Sequence, residues 1–201
     1  MKKYLWVLIL AGVLILQGCV SLSTFNTPTT TKKDNIRLGI GLGGMGVGEA
    51  TVGPFPEVYG RVGLGERVDI GGKFTGPLGG ITADVKYQLV DQRLKMAADL
   101  SGSIFFAGPN SVQPGLLVGT EHLYLGGRLM VFPGPLSGDQ RTFEFDDVSA
   151  STVMPGVLLG ASIGNQEFRV MPEVSAYFAE GTDRAIFVPG LGLRFRLGGN
   201  E

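Results

Sequence analysis

Apolar and polar residues alternate at period two along most of this chain. In Arg67–Phe74, Val68, Ile70 and Phe74 share one face, while Arg67, Asp69 and Lys73 share the other. In Ile81–Leu89, Ile81, Ala83, Val85, Tyr87 and Leu89 oppose Thr82, Asp84, Lys86 and Gln88. Between Glu167 and Phe178, Phe168, Val170, Pro172, Val174, Ala176 and Phe178 oppose Arg169, Met171, Glu173, Ser175 and Tyr177. Noisier alternation runs through Ile36–Gly48, Glu57–Leu64, Leu94–Phe106, Val112–Gly119, Glu121–Phe132, Thr152–Ile163 and Ala185–Leu197. Successive side chains of a strand point to opposite faces, so this pattern predicts about ten strands. Their lengths fall near the 9–11 residues with which a tilted strand crosses a bilayer. No helix is predicted, because Gly and Pro recur too often and apolar residues do not follow helical spacing.

The links between these segments sort into two kinds. Gly65-Glu66, Asp91-Gln92-Arg93, the region of Thr120, and Gly164-Asn165 are tight. Glu49–Pro56, Thr75–Gly80, Ala107–Ser111, Pro133–Ser151 and Glu180–Arg184 are longer and alternate with them. One rim of short turns and one of longer loops is the asymmetry of outer-membrane barrels. The expected fold is therefore all-β: a closed, antiparallel, up-and-down transmembrane β-barrel spanning residues 35–201. An even strand number places both ends of the barrel domain on the short-turn side.

Alternation alone does not say which face meets solvent, but the height of the aromatics does. On the proposed outward phase, Phe74, Phe106, Phe178 and Phe187 lie at loop-side strand ends, and Tyr87, Phe168 and Phe195 at turn-side ends. Between them the same phase is mostly aliphatic, as at Ile70, Val85, Leu125, Val157 and Leu191. Two aromatic girdles around an aliphatic band suit a bilayer, where amphipathic rings settle at headgroup level. The opposite phase then lines a lumen with Arg37, Glu57, Tyr59, Arg61, Asp69, Lys73, Asp84, Lys86, Lys95, Asp99, Arg128, Arg169, Glu173, Arg194 and Arg196. Inward glycines such as Gly39, Gly41, Gly156, Gly160, Gly190 and Gly192 leave room for long side chains. Mixed signs allow pairing, which buried charges require. The expectation is a lumen plugged mostly by ion pairs.

Composition supports an envelope protein. The 201 residues include 33 glycines, and charged residues make up only 17%, below the usual ~25%. The net charge is −1, and −3 once Lys2 and Lys3 are removed, so nucleic-acid binding has little electrostatic support. The single cysteine, Cys19, rules out an intramolecular disulfide.

At the N-terminus, Lys2 and Lys3 precede an apolar run from Tyr4 to Leu16, too short for a spanning helix and suited to an export signal. It ends in Leu16-Gln17-Gly18-Cys19, which resembles the lipobox of bacterial lipoproteins. The resemblance implies cleavage after residue 18, and a diacylglycerol and an N-acyl chain (such as palmitate) on Cys19. Val20, in place of the Asp that retains such proteins at the inner membrane, points to the outer membrane, and an anchor at Cys19 in its inner leaflet fits barrel ends on the short-turn, periplasmic side. Residues 19–34, Thr-rich and broken by Pro28, read as a lipidated cysteine followed by a flexible tether. The final strand, Gly190–Leu197, resembles the C-terminal assembly signal of outer-membrane barrels, but continues into Gly198-Gly199-Asn200-Glu201.

Little else suggests chemistry. Gly39-Ile40-Gly41-Leu42-Gly43-Gly44 is followed by more glycine-rich strand and not by the helix that phosphate binding needs, so it reads as small inward residues with a bulge at Gly43-Gly44. His122, the sole histidine, sits beside Glu121 at a turn-side strand start, away from the loop rim where barrel hydrolases work. No metal site is expected. The Pro133–Ser151 link, with Phe143, Phe145 and four acidic residues, reads as a solvated surface loop or as one that binds a partner or a divalent cation. Pro114, Pro155, Pro172 and Pro189 fall inside strands, where each removes a ladder donor.

The expected function is non-enzymatic: an outer-membrane scaffold or surface-interaction lipoprotein without a cofactor. Its partners are membrane lipid and lipopolysaccharide, together with the barrel-assembly and lipoprotein-sorting machinery. Two alternatives stand beside it: a small-solute channel, and a lipid-anchored soluble periplasmic barrel holding an apolar ligand.

Overall fold

The computed structural model describes residues 23–47, 50–105, 110–132, 153–178 and 185–197. They form one closed antiparallel barrel of ten strands. In chain order these are β1 (Ile36–Val47), β2 (Ala50–Gly63), β3 (Val68–Thr75), β4 (Gly80–Asp91), β5 (Lys95–Phe105), β6 (Ser111–Gly119), β7 (Leu123–Val131), β8 (Val153–Ala161), β9 (Phe168–Phe178) and β10 (Ala185–Leu197). A two-residue piece, Ile163–Gly164, continues β8 past Ser162 and pairs with Val170 and Arg169. Each strand pairs with its sequence neighbour. The ring closes between β10 and β1, from Ile36 opposite Leu197 to Val47 opposite Ile186.

Two predicted loops differ from what forms. Glu49–Pro56 was expected as a connection, yet β1 and β2 stay paired up to Val47 opposite Ala50, with a register shift between Gly43 and Met45. Glycine and proline obscure side-chain periodicity there, but the backbone ladder does not depend on it. Within Thr75–Gly80, Gly76–Gly79 form a single helical turn. The other long links, including Pro133–Ser151, lie wholly or largely outside the described residues.

Besides Pro54 and Pro56 in β2, four prolines lie in the described strands, and each of these four faces a break in one ladder. Pro114 sits where the β6–β7 register skips from Val112 to Gly115. Pro172 and Pro155 lie just beyond the two ends of the β8–β9 ladder, which runs from Glu173 to Tyr177. Pro189 falls in the β1–β10 gap between Phe187 and Gly190. A proline has no N–H to give a neighbouring strand, so the ladders open where the prolines stand.

The two faces differ sharply. Ile70, Val85, Leu125, Val157, Leu159 and Leu191 point outward and are exposed, as are many other large apolar residues around the wall. Phe74, Phe178 and Phe187 stand at the loop-side ends of this exposed face, and Tyr87, Phe168 and Phe195 at the turn-side ends. The Phe168 and Phe195 rings lie 5.3 Å apart on adjacent strands. Phe106 lies outside the described residues.

Candidate functional site

Inward positions carry the polar groups, but they do not fill the lumen by ion pairs alone. On the β2–β5 wall, Arg61 bridges Asp69 and Asp84. Lys86 Nζ stands 3.5 Å from Asp69 Oδ2, and Lys73 Nζ 3.4 Å from Glu57 Oε2. Across β5 and β7, Arg128 pairs with Asp99 at 2.5 Å. The opposite wall is apolar inside. Met45, Met130, Met154, Tyr177, Ile186 and Val188 cluster toward the loop side, and Leu117, Tyr124, Leu158 and Met171 lie deeper. The lumen was expected to be plugged mostly by ion pairs, but these occupy one side of the interior and apolar side chains the other. The alternation puts Met171 and Tyr177 on this phase, and Tyr59 among the expected lumen residues, but Met45, Leu117, Met130, Met154 and Leu158 were not among them.

Three tyrosines lock this wall to glycines directly across from them. Tyr59 opposes Gly39, Tyr124 opposes Gly160, and Tyr177 opposes Gly156. A Cβ on any of these glycines would overlap the facing ring, so each glycine is the space its tyrosine occupies.

The remaining space is taken by a segment the sequence did not place there. Residues 23–31, read above as part of a flexible tether, run through the lumen, and most are buried. The chain turns in at the short-turn rim, where Asp34 has φ of 62°, its N–H donates to the Gly63 carbonyl, and Lys33 bridges to Gly63. A short polar side chain such as Asp tolerates that left-handed backbone.

From there most of its residues meet a wall group. The Thr31 N–H donates to Asp69 Oδ2 at 2.5 Å, and the Thr30 hydroxyl to Gln88 Oε1 at 2.7 Å. Lys86 Nζ donates to the carbonyls of Thr27 and Thr29 at 3.0 and 2.8 Å, and to Asn26 Oδ1 at 2.9 Å. Thr24 donates its N–H and hydroxyl to the two oxygens of Glu173, at 2.6 and 2.8 Å. The Ser23 hydroxyl donates to Glu57 Oε1 at 2.6 Å, while Lys73 Nζ donates to the Ser23 carbonyl at 2.6 Å.

Phe25 supplies the apolar contact. Its backbone is left-handed (φ 44°), uncommon for a bulky residue. The ring stacks on Tyr59 at 5.3 Å and fills a recess made by Gly41, Gly190 and Gly192, where added Cβ atoms would meet it.

The predicted lumen residues thus fall into groups. Tyr59, Lys73, Lys86, Asp69 and Glu173 hold the segment directly. Arg61 and Asp84 support Asp69 from behind. Asp99 and Arg128 line a residual cavity of about 30 Å³ between the segment and the β4–β7 wall. Arg37, Arg169, Arg194 and Arg196 belong to a separate region at the short-turn rim. His122 is exposed in the turn before β7, its Nδ1 3.2 Å from the Ser162 carbonyl oxygen. Among the described residues no group of three or more His, Cys, Asp or Glu is arranged to hold a metal ion.

No protein-family model matches the chain, and no curated protein does. Among solved structures it is similar to a de novo designed transmembrane β-barrel: 12% identity, 84% of this chain, all of that one, TM-score 0.35. It is also similar to Ail, the attachment invasion locus protein of Yersinia pestis: 13% identity, 81% of this chain, 97% of that one, TM-score 0.26. A third similarity is to OccAB4 of Acinetobacter baumannii: 9% identity, 78% of this chain, 56% of that one, TM-score 0.27.

Proposed function

We propose that this chain is an outer-membrane β-barrel lipoprotein whose own N-terminal segment closes the lumen, and that it acts as a non-enzymatic scaffold or surface-interaction protein. The observation that carries this reading is the seating of residues 23–31 on charges from opposite walls, Lys86 and Asp69 on one and Glu173 on the other. The cavity of about 30 Å³ beside the segment has room for two or three waters but no larger solute, since one water needs roughly 10–15 Å³ of such space. The exposed aliphatic belt between aromatic ends is the surface hydrocarbon would cover. Its outward orientation disfavours the periplasmic carrier, whose apolar face would line the interior.

Lipidation at Cys19 completes the proposal, and the lumen path changes where the anchor falls. Ser23 meets Glu57, which pairs with Thr75, the last residue of β3. Cys19 is four residues further out, a reach of at most about 14 Å. On the side of β3, which ends at Thr75, the loop-side mouth is within that reach, although β2 itself runs seven residues beyond Glu57 to Ala50. The short-turn rim at Gly63 is six residues back from Glu57, roughly 20 Å along the strand, and the segment itself occupies that route. The acyl chains therefore belong at the loop-side mouth, in the outer leaflet, and not in the inner leaflet.

Planar-bilayer recordings test the closure. The mature chain should be electrically silent, and a variant lacking residues 23–31 should show discrete single-channel currents. Steady currents from the intact chain would replace this reading with the small-solute channel.

A further inference from the structure

At the short-turn mouth the wall changes character. Arg37 on β1 lies directly opposite Arg61 of β2 on one side and Arg196 of β10 on the other. One step on, Arg194 of β10 lies opposite Arg169 of β9. Like charges placed directly across strands repel, so four adjacent strands carrying such a row need counter-charge from elsewhere.

For three of these arginines the partners are in place. Arg61 is held by Asp69 and Asp84. Arg169 donates to the carbonyls of Asn165 and Glu121, with the Glu121 carboxylate 3.8 Å away. Arg196 donates to Gln166 Oε1 and Asn35 Oδ1. Among the described residues neither Arg37 nor Arg194 has a carboxylate at ion-pair distance. These two inward-facing cations border a cavity of about 180 Å³, larger than the cavity of about 30 Å³ between the segment and the β4–β7 wall. Lys32, Arg169 and Arg196 line the same cavity, against a single carboxylate, that of Glu121. Its remaining lining includes Thr27, Thr29, Thr30 and Asn35, so the lumen segment forms its floor.

We propose that this vestibule is a binding site for a small oxyanion of the phosphate class, held by Arg37 and Arg194 with Arg196 and Lys32 at its edge. Guanidinium groups present planar pairs of N–H donors that match two oxygens of such an anion. The anion supplies the charge that the Arg37–Arg196 and Arg194–Arg169 registers lack. A soluble anion fits better than a lipid headgroup, because these side chains line the interior and not the exposed apolar face. The site rests on the seated segment as well as on the barrel wall, but it stands or falls separately from membrane location.

The test uses the whole mature chain in a maltoside detergent, with thermal unfolding followed by gel mobility. Inorganic phosphate and pyrophosphate are titrated against chloride at equal ionic strength. A saturable rise in midpoint with the phosphates, and none with chloride, is the expected result, since a ligand bound only to the folded state stabilises it. Arg37→Gln and Arg194→Gln should each weaken the apparent affinity about tenfold or more, the loss of one charge-assisted contact. Both should also raise the anion-free midpoint by relieving repulsion, so the variants remain readable. Arg37→Lys, which keeps the charge without the fork, should bind pyrophosphate more weakly than the parent. Equal responses to phosphate and chloride, or an unchanged titration in both glutamine variants, would overturn the site. So would a shift seen only in nanodiscs of anionic lipid, with none from free phosphate, because that would assign the arginines to headgroups.

Discussion

Lys86 and Asp69 face each other across β3 and β4, almost wholly buried, with Nζ 3.5 Å from Oδ2, and each also binds the N-terminal segment. Asp69 accepts from the Thr31 N–H while Lys86 donates to Thr27, Thr29 and Asn26. The pair is thus complete only when the segment is seated, and this couples the wall to its plug.

Replacing Lys86 by Met keeps most of the side-chain volume and removes the cation. Breaking one side of a buried pair costs on the order of 3–5 kcal/mol, and here that loss falls mainly on segment seating. A chain beginning at Val20 has no cysteine, so a thiol placed by Thr27→Cys reports exposure of a residue that is buried at present. Its labelling rate should rise roughly a hundredfold in the Lys86→Met background, the measure of local opening made easier by about 3 kcal/mol. Equal rates in both backgrounds would mean that Lys86 does not hold the segment.

Tyr124 and Gly160 should be energetically coupled. A methyl at Gly160 would overlap the Tyr124 ring, whose hydroxyl donates to Glu173 at 3.2 Å. Gly160→Ala alone should therefore destabilise by about 1–3 kcal/mol through overpacking. In Tyr124→Ala the same methyl enters vacated space. The double variant should be more stable than the sum of the single effects predicts, with a coupling of at least ~0.5 kcal/mol. Urea unfolding of the four proteins gives the cycle, and additivity would contradict the fit described for this pair.

The barrel was legible because strand periodicity needs only side-chain polarity. Ile70, Val85 and Val157 read as outward and Asp69, Lys86 and Glu173 as inward, as they are. The plug was not legible, because Ser23, Thr24, Asn26, Thr27, Thr30 and Thr31 have the composition of a solvated linker. In a polar lumen that composition is what a buried strand of chain requires, since every backbone and hydroxyl group there must find a partner. A signal did exist. Glu173 is opposed by Gly190 on one neighbour and Gly160 on the other, so no cross-strand cation can satisfy it. Gly41 likewise faces Gly192, leaving a recess no wall residue fills until Phe25 does. Inward carboxylates flanked by glycine on both sides mark space reserved for a segment from elsewhere in the chain.

The exposed belt gives a test of membrane residence that does not depend on the plug. Val157 lies at the centre of β8, fully on the outward face, opposite Gly127 and Ala176. If hydrocarbon covers it, Val157→Arg should cost about 2–4 kcal/mol of stability in phospholipid vesicles, the midplane penalty for a cation. On a water-facing surface the same change would stay within roughly 0.5 kcal/mol. A near-zero effect in vesicles would remove the bilayer from the account while leaving the barrel intact.

The position of the anchor is the sharpest consequence of the lumen path, because the two placements expose opposite ends of the chain. An epitope inserted after Val20, one residue past the proposed acylation site Cys19, sits at the loop-side mouth if the segment runs as seated. It sits in the periplasm if the chain instead leaves by the short-turn rim. Antibody on intact cells should therefore bind the first arrangement, with a periplasmic marker protein confirming that the cells are sealed. Releasing the segment with Lys86→Met should lower that surface signal, since a chain no longer held by Asp69, Lys86 and Glu173 can retreat to the other rim. Staining only after permeabilisation, in the parent and the variant alike, would place the acyl chains in the inner leaflet and refute the threaded path.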